Sequence, residues 1–191
     1  DSSILDIWNI QLARYGSKLT STRKKFIEKM SIYSSRIHES ITDGKEILHL
    51  EYNPNIEFAD DFAEMEGLFY DEIKKSYASD LRMRTTTRGP HKDDFSFYVN
   101  GINMRSFGSQ GQQRTCALSL KLAELNLIKE ETGEEAILLL DDVMSELDIN
   151  RQRFLIRTLR NNQIFVTATD IDDKVIESFP NANIIKIEKN A

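Results

Sequence analysis

Two neighbouring carboxylates, Asp141 and Asp142, directly follow the apolar run AILLL at residues 136–140. An apolar run this short, bounded by polar turns, is typical of a strand that is buried on both faces of a parallel sheet. Carboxylates at the carboxyl end of such a strand lie where open α/β sheets bind their ligands. One carboxylate can then hold Mg²⁺ through oxygen, and its neighbour can orient or deprotonate a water molecule.

A second pattern lies upstream, where the turn Ser109-Gln110-Gly111-Gln112 opens a predicted helix. A glycine and a small hydroxyl at a helix start expose backbone N–H groups and the positive end of the helix dipole, which together favour phosphate. An ordinary helix N-cap beside a glycine would have the same composition. The helix is predicted from its apolar positions, which are Cys116, Leu118, Leu120, Leu122, Leu125 and Leu127.

A third pattern, SELD at residues 145–148, is a tight turn in which Asp148 is also a good N-cap for the next helix. In their order and separations, the three patterns resemble the signature motif, Walker B strand and D-loop in the C-terminal half of an ABC-type ATPase head. The exact residues of the motifs are similar to those of the RecF family of bacterial recombination mediators, within the SMC-like superfamily. These motifs are GPHKDD at residues 89–94, FGSQGQQRT at 107–115 and LLLDDVMSELD at 138–148.

The resemblance implies a role for each site residue. In such heads two subunits dimerise head to tail on ATP, and the signature turn of one (Ser109, Gln110, Gly111 and Gln112) meets the γ-phosphate bound by the other. Asp141 would hold Mg²⁺, Asp142 would position the attacking water, and Asp148 would cross the dimer interface. Many ABC enzymes have glutamate where this chain has Asp142, and the shorter side chain favours slow hydrolysis, suited to a timing switch.

The resemblance also implies a function. RecF-like proteins form an ATP-dependent DNA-binding clamp, a homodimer on ATP, at gaps between single-stranded and double-stranded DNA. With RecR and RecO they help to load RecA, and they serve recombinational DNA repair, replication restart and the SOS response in the cytoplasm.

Two other interpretations compete with this one. The chain could belong to another SMC-like ABC ATPase with a structural or nuclease-associated role, whose long helix would begin a coiled-coil arm. Only a few dozen residues separate its two helical segments, which is too short for an extended coiled coil. It could also be a helical interaction module with a degenerate ATPase remnant, but the intact Asp141 and Asp142 argue against that.

Two family features are missing from the sequence. None of the eight glycines fits the phosphate loop G-x-x-x-x-G-K-[ST], so nothing here is predicted to cradle the α- and β-phosphates. In the family that loop lies upstream, so we expect the chain to be the C-terminal part of a longer protein and to hydrolyse no ATP alone. The segment IFVTATD at residues 164–170 also lacks the switch histidine of many ABC ATPases, and Thr167 or Thr169 could supply a hydroxyl instead.

The composition suits one ordinary globular domain or two small ones. The chain has 191 residues, 40% of them hydrophobic, a formal charge of −6 and a single cysteine. One cysteine excludes an internal disulfide and fits a reducing cytoplasm. No apolar stretch approaches the roughly 20 residues of a membrane span.

The first segment predicts a long helix with one apolar stripe, ending at Asp43-Gly44. The stripe comprises Ile4, Trp8, Leu12, Tyr15, Leu19, Phe26, Met30, Tyr33, Ile37 and Ile41. Residues 14–36 also carry seven Lys or Arg against Glu28 alone, which is either a solvated face or a surface that tracks DNA phosphates. Its candidate DNA contacts are Lys18, Lys25 and Lys29, which share a helix face.

A second helix is predicted over residues 58–84, after a short strand at 47–52. Beyond it, Arg82, Arg84 and Arg88 are further candidate DNA contacts, and His91 is expected to have a structural role. Asn100-Gly101 between alternating runs predicts a type I′ hairpin. The downstream order is helix (149–160), strand (164–169), helix (172–179) and strand (184–187), which favours a mostly parallel sheet.

We therefore expect an α/β fold with a helical lobe. Residues 1–87 would form a mainly helical lobe, arm domain II, and residues 88–191 the C-terminal part of an ABC-type ATPase head.

Overall fold

The computed structural model describes residues 2–159, 162–168 and 182–187. Its elements are α1 (Ser2–Ile41), β1 (Leu48–Asn53), α2 (Phe62–Met83), β2 (Asp94–Val99), β3 (Ile102–Asn103), α3 (Met104–Phe107), α4 (Gln110–Thr132), β4 (Leu138–Asp141), α5 (Ile149–Thr158) and β5 (Ile164–Thr167). Short 3-10 turns lie at Pro90–Lys92 and Val143–Glu146. Among these residues, no helix combines the length and apolarity that crossing a bilayer requires.

The chain divides into two compact units, Asp1–Glu124 and Leu125–Ala191. This boundary falls within α4, whereas the sequence predicted a division after residue 87. Strand β1 of the predicted lobe pairs antiparallel with β2 of the predicted head, so backbone hydrogen bonds cross the predicted division. The division into residues 1–87 and 88–191 stays a prediction about the domains of the family.

The first half of helix α1 packs through small residues, whereas its apolar stripe is exposed there and becomes buried further along, at Met30. Its buried positions include Ala13, Ser17 and Thr20, whereas Trp8 and Tyr15 of the stripe are 60% and 66% exposed. At Gly16 the ring of Phe69 on α2 lies so close that an added Cβ would be 2.6 Å from it. The small face therefore lets α2 approach closely. The core there comprises Ala13, Ile56, Met65, Phe69 and Ile73.

The first unit also contains a three-stranded antiparallel sheet, β1-β2-β3. Asn100 and Gly101 join β2 to β3 with φ angles of 50° and 80°. Positive φ at both central residues is the requirement of a type I′ turn, so the predicted hairpin is confirmed. The Asn100 side chain also accepts a hydrogen bond from the Ile47 N–H (2.9 Å) and donates to the Lys45 carbonyl (3.2 Å), which fixes the approach to β1.

The second unit holds the parallel pair β4 and β5, with Asp141 opposite Thr167. The prediction that β4 is buried on both faces is wrong for the described residues. Leu139 is 76% exposed, and β5 is the one described strand that pairs with β4. Residues 182–187, predicted to include a strand, have no regular secondary structure. The helix predicted at 172–179 lies outside the described residues.

Candidate nucleotide-binding site

The signature turn, Ser109 to Gln112, forms a capping box at the start of α4. The Gln112 N–H donates to Ser109 Oγ (3.2 Å), and the Ser109 N–H donates to Gln112 Oε1 (3.1 Å). Each side chain thus satisfies a backbone donor that the helix itself leaves unpaired. The N-cap alternative is therefore confirmed, whereas phosphate binding stays a prediction: Ser109 caps the helix and lies exposed at its positive end.

The two glycines of this region have different environments. A Cβ on Gly108 would lie 2.6 Å from the Met104 carbonyl oxygen, so the fold itself requires glycine there. A Cβ on Gly111 would meet nothing within 4 Å. Glycine inside a helix costs about 0.5–1 kcal/mol relative to alanine. Since no contact of the described chain requires that cost at Gly111, the residue is suited to close approach by an external group.

The strand-end carboxylate Asp141 is held by the neighbouring strand. The Thr167 hydroxyl donates to Asp141 Oδ1. The Asp142 N–H in turn donates to Thr167 Oγ1 (3.2 Å) and to the Thr167 carbonyl (3.1 Å). Thr167, one of the two hydroxyls considered for the missing histidine, thus bonds the Asp141 carboxylate and the Asp142 backbone. Thr169 lies outside the described residues.

Asp142 has a backbone conformation that is unusual for a residue with a side chain. Its φ and ψ are 52° and 18°, in the left-handed region, where the chain leaves β4 and enters the turn Val143–Glu146. Such conformations cost free energy and cluster at functional sites. Here the conformation turns the chain so sharply that two successive carboxylates remain exposed at the end of one strand.

The donor chemistry of the strand end fits Mg²⁺. Asp141, Asp142 and Thr167 offer hard oxygen atoms, and Mg²⁺ typically binds one or two carboxylates while phosphate oxygens and water complete its octahedron. Among the described residues, no group of three or more His, Cys, Asp or Glu side chains could hold a metal ion. An ion at this strand end would therefore depend on nucleotide and water for its other ligands.

Asp148 is the N-cap of α5. Its Oδ1 accepts from the N–H groups of Asn150 (3.0 Å) and Arg151 (3.1 Å), and its carboxylate pairs with the Arg151 guanidinium. The Gln152 side chain donates to the carbonyls of Met144 (2.7 Å) and Leu147 (3.1 Å), which ties α5 to the preceding turn. Gln152 was not found from the sequence, because only the folded turn brings its amide to those carbonyls.

The GPHKDD segment converges on one buried carboxylate. The Asp93 side chain, 3% exposed, accepts hydrogen bonds from the Tyr52 hydroxyl and the Asn55 N–H (2.8 Å) and pairs with Arg23 (3.3 Å). Burial and the hydrogen bond to Asp93 raise the pKa of Tyr52 to about 12. His91 contacts the Thr86 carbonyl through Nε2 (2.7 Å). These contacts fit the structural role expected for the segment.

All six candidate DNA contacts are exposed: Lys18, Lys25 and Lys29 on α1, and Arg82, Arg84 and Arg88 around the end of α2. Arg88 forms an ion pair with Glu72 (3.7 Å). The backbone beside Arg84 and Arg88 is held by Asp80, whose side chain accepts hydrogen bonds from the Thr87 N–H (3.0 Å) and hydroxyl. Burial opposes ionisation of Asp80, but the bonds from Thr87 and Ser76, together with the nearby His91, outweigh it and lower the pKa of this carboxyl.

Known proteins resemble the chain in sequence. No protein-family model matches it. The DNA replication and repair protein RecF of Lactococcus lactis subsp. cremoris is 49% identical over 173 residues, which are 90% of this chain and 46% of the relative. RecF of Acetivibrio thermocellus is 44% identical over 168 residues (87% and 46%), and RecF of Clostridium perfringens is 41% identical over 187 residues (98% and 51%). The chain therefore spans about half the length of the curated relatives it matches.

Solved structures agree with these relatives. The recombination mediator protein RecF-ATPrS in the RecFOR pathway matches with a TM-score of 0.81 and 36% identity, covering 91% of this chain and 47% of that chain. RecF-ATP of the same pathway matches with a TM-score of 0.79 and 35% identity, covering 89% and 46%. The predicted fold class is confirmed, because helices with a small parallel sheet match the ABC-type ATPase fold of RecF. In sequence and in fold, over most of its length, the chain belongs to the RecF family.

Proposed function

We propose that this chain is part of an ATP-switched DNA clamp of the RecF type. The clamp would act in DNA replication and recombinational repair, including replication restart and the SOS response. Its partners would be DNA at gaps between single and double strands, RecR and RecO, and indirectly RecA. The observation that carries the proposal is a pair of motifs: a capped signature turn with open space at Gly111, and two adjacent exposed carboxylates at a strand end. The names of the relatives and the RecF-ATP structure support it.

The signature turn would act on a nucleotide bound by a second subunit. Ser109 presents its hydroxyl at the positive end of α4, and Gly111 leaves room for phosphate oxygens to approach the backbone. Gln110 and Gln112 belong to the same turn. Phe107, 79% exposed just before it, offers apolar surface to the facing subunit. Asp148 would lie at the same dimer interface, so ATP would hold two heads together.

The strand-end carboxylates would act on the nucleotide of their own subunit. Asp141, oriented by the Thr167 hydroxyl, would hold Mg²⁺, which neutralises charge on the β- and γ-phosphates when bound. Asp142 would orient the attacking water and accept its proton. An aspartate reaches less far than a glutamate, so turnover would be slow and the clamp long-lived.

DNA would be held by the exposed basic groups on α1 and after α2. Because the chain is acidic overall, at −6, affinity must come from local patches and not from net charge. Lys18, Lys25 and Lys29 recur at intervals of seven and four along α1, so one face of the helix can follow a phosphate backbone. Arg82, Arg84 and Arg88 would add a second group of contacts.

The test uses a full-length RecF-family protein that carries this sequence. Sedimentation with and without ATP should show monomers that become dimers, and affinity for gapped DNA should rise with the dimer. Asp142→Asn should prolong the dimer because hydrolysis would be lost while ATP binding remains. Monomers at saturating ATP, or dimers with no gain in DNA affinity, would contradict the proposal.

A further inference from the structure

The signature glutamine Gln112 is held by a residue far away in the sequence. Its side-chain amide donates to Glu46 Oε1 (2.9 Å), while its Oε1 accepts from the Ser109 N–H (3.1 Å). Its own backbone N–H donates to Ser109 Oγ (3.2 Å). The polar groups that Gln112 could offer to a ligand are therefore largely engaged within the subunit.

Glu46 continues the contact into the protein interior. Its second oxygen, Oε2, lies 3.0 Å from Nε2 of His38, whose side chain is fully buried at the end of α1. Nδ1 of His38 lies 3.1 Å from the buried Ser119 Oγ. Ser119 in turn donates to the Thr115 carbonyl (2.8 Å), and the Thr115 hydroxyl donates to the Gly111 carbonyl (2.8 Å). The chain of contacts thus leaves the first turn of α4 and returns to it.

The order carboxylate, imidazole, hydroxyl in Glu46, His38 and Ser119 matches a hydrolytic triad in type. Its location excludes that use. His38 and Ser119 are both 0% exposed, so a substrate could not reach the hydroxyl. The group is therefore suited to fix a geometry. The half-buried Glu46 connects the buried His38 to Gln112 of the signature turn, because each of its two carboxylate oxygens contacts one of them.

The backbone around Glu46 is itself fixed. Asn100 at the hairpin turn bonds both neighbours of Glu46, accepting from the Ile47 N–H and donating to the Lys45 carbonyl. The Thr42 hydroxyl lies 3.4 Å from the Glu46 carbonyl. Because its backbone is held in place, the Glu46 side chain can keep its partner in one orientation, as preorganised sites require. The charge of Glu46 also affects Cys116. Burial raises the pKa of this thiol most, the Glu46 carboxylate raises it further, and the result is a pKa of about 11.

We infer that Glu46 is a positioning residue for the signature turn: it holds Gln112 so that Ser109 and Gly111 are presented to a nucleotide on the facing subunit. Gln112 then acts through the shape of the turn and not by touching phosphate. The inference rests on the proposed function for its link to ATP. The contact between Glu46 and Gln112 is a property of the single chain.

Gln112→Glu is the sharpest variant, because a glutamate at this position keeps the capping box and loses only the amide donor that Glu46 accepts. It also sets two carboxylates against each other. Glu46→Gln in the same protein should restore the bond, since the amide donor is then at position 46 and the acceptor at 112. Both single variants and the double variant form a cycle. Glu39→Ala, which removes an exposed carboxylate from the same end of α1, is the matched control.

Two readouts are taken on the full-length protein. The first, without nucleotide, is amide hydrogen exchange over residues 109–113, which should accelerate in Gln112→Glu and return in the double variant. The second is ATP-dependent dimerisation, which Gln112→Glu should weaken about tenfold, as expected when one interaction of about 1.4 kcal/mol is lost. The affinity of the monomer for ATP should stay unchanged, and Glu39→Ala should match wild type throughout.

The outcomes separate the inference from the proposed function. Unchanged exchange in Gln112→Glu, or no restoration by Glu46→Gln, would overturn the positioning role of Glu46. So would normal dimerisation of Gln112→Glu, or an equal loss of monomer affinity for ATP. If exchange responded as expected but wild type did not dimerise with ATP, the proposed function would fail. Glu46 would then hold the turn for a purpose other than a nucleotide in trans.

Discussion

The signature turn and the strand-end carboxylates are built in different ways. The turn is fixed by a capping box and by a side-chain network that reaches the buried His38. At the strand end, Asp141 and Asp142 lie exposed, and the Thr167 hydroxyl is the side chain that bonds the Asp141 carboxylate. The difference fits two tasks: a rigid surface that must match a facing subunit, and a site that metal, phosphate and water complete.

The difference between the two regions predicts that damage at the turn affects assembly, whereas damage at the strand end affects turnover. A rigid contact surface loses its fit when one side chain changes. An open site loses the alignment of reacting groups while the surfaces still meet. The following variants, all in a full-length RecF-family protein that carries this sequence, test the distinction.

The largest effect is expected from Ser109→Arg. The change removes the oxygen that accepts the Gln112 N–H and places a long side chain where phosphate would approach the turn. ATP-dependent dimerisation should weaken by at least about a hundredfold, which corresponds to the loss of one charge-assisted hydrogen bond to phosphate at each of the two sites of the dimer. Sedimentation velocity with ATP measures it, and Ser106→Arg on the short helix α3 is the control. Dimers at wild-type concentrations would show that the turn does not face the partner.

Changes on the basic face of α1 should weaken DNA binding and leave the signature turn and the strand-end carboxylates unaffected. Changing Lys18, Lys25 and Lys29 together to Glu should weaken DNA binding by about ten- to a hundredfold, because three attractive interactions with phosphate become repulsive. The slope of log affinity against log salt should flatten by about one unit for each phosphate that is no longer neutralised. Titration of labelled gapped DNA at several salt concentrations measures both quantities. Dimerisation should not change, and wild-type affinity and slope would identify a solvated surface.

Thr167→Val should act on turnover alone. Valine has nearly the same shape but cannot orient Asp141 or accept from the Asp142 N–H. Losing a hydrogen bond of about 1.4 kcal/mol in the aligned state would slow ATP turnover about tenfold. Thr158→Val on α5, where the hydroxyl donates to the Phe154 carbonyl of its own helix, is the control. A loss of dimers instead of turnover would remove the distinction between the two regions.

The alkylation rate of the Cys116 thiol should report how tightly α4 is packed. This measurement changes no residue, so it is the mildest of the tests. Burial, together with the Glu46 carboxylate, raises the pKa of the thiol to about 11, so the thiol stays protonated at neutral and mildly alkaline pH. Alkylation at pH 8 should be slower than for a free thiol by at least about a hundredfold, because the thiolate is the reactive form. Mass spectrometry against a thiol peptide measures the rate. Rapid labelling of the native protein would mean that this helix opens easily.

The order of motifs was enough to predict the fold class, which the RecF structures confirm, whereas the nucleotide site stays a prediction. The capping role of Ser109, the hairpin at Asn100-Gly101 and the strands before Asp141 and at residues 164–167 all follow from neighbours in the sequence. Contacts across long separations could not be predicted. Glu46 lies 66 residues from Gln112, and nothing near either residue indicates the pair.

Helix α1 shows why periodicity alone misplaced a packing face. The large apolar residues form the stronger stripe, but small residues on another face allow α2 to approach within reach of Phe69. A pattern of small residues carries little hydrophobic signal, so sequence reasoning favoured Trp8 and Tyr15. The stripe remains exposed from Ile4 to Phe26 and becomes buried at Met30.

The most direct test mixes two inactive proteins. In the proposed clamp, the signature turn and the strand-end carboxylates act on one nucleotide from different subunits. Ser109→Arg alone and Asp142→Asn alone should each hydrolyse almost no ATP. In a mixed head-to-tail dimer, one of the two sites combines the intact carboxylates of the first protein with the intact turn of the second. At protein concentrations high enough for Ser109→Arg to dimerise as well, an equal mixture should therefore regain up to about a quarter of the wild-type rate, since half the dimers would then be mixed and each has one complete site. A mixture as inactive as its components would contradict the claim.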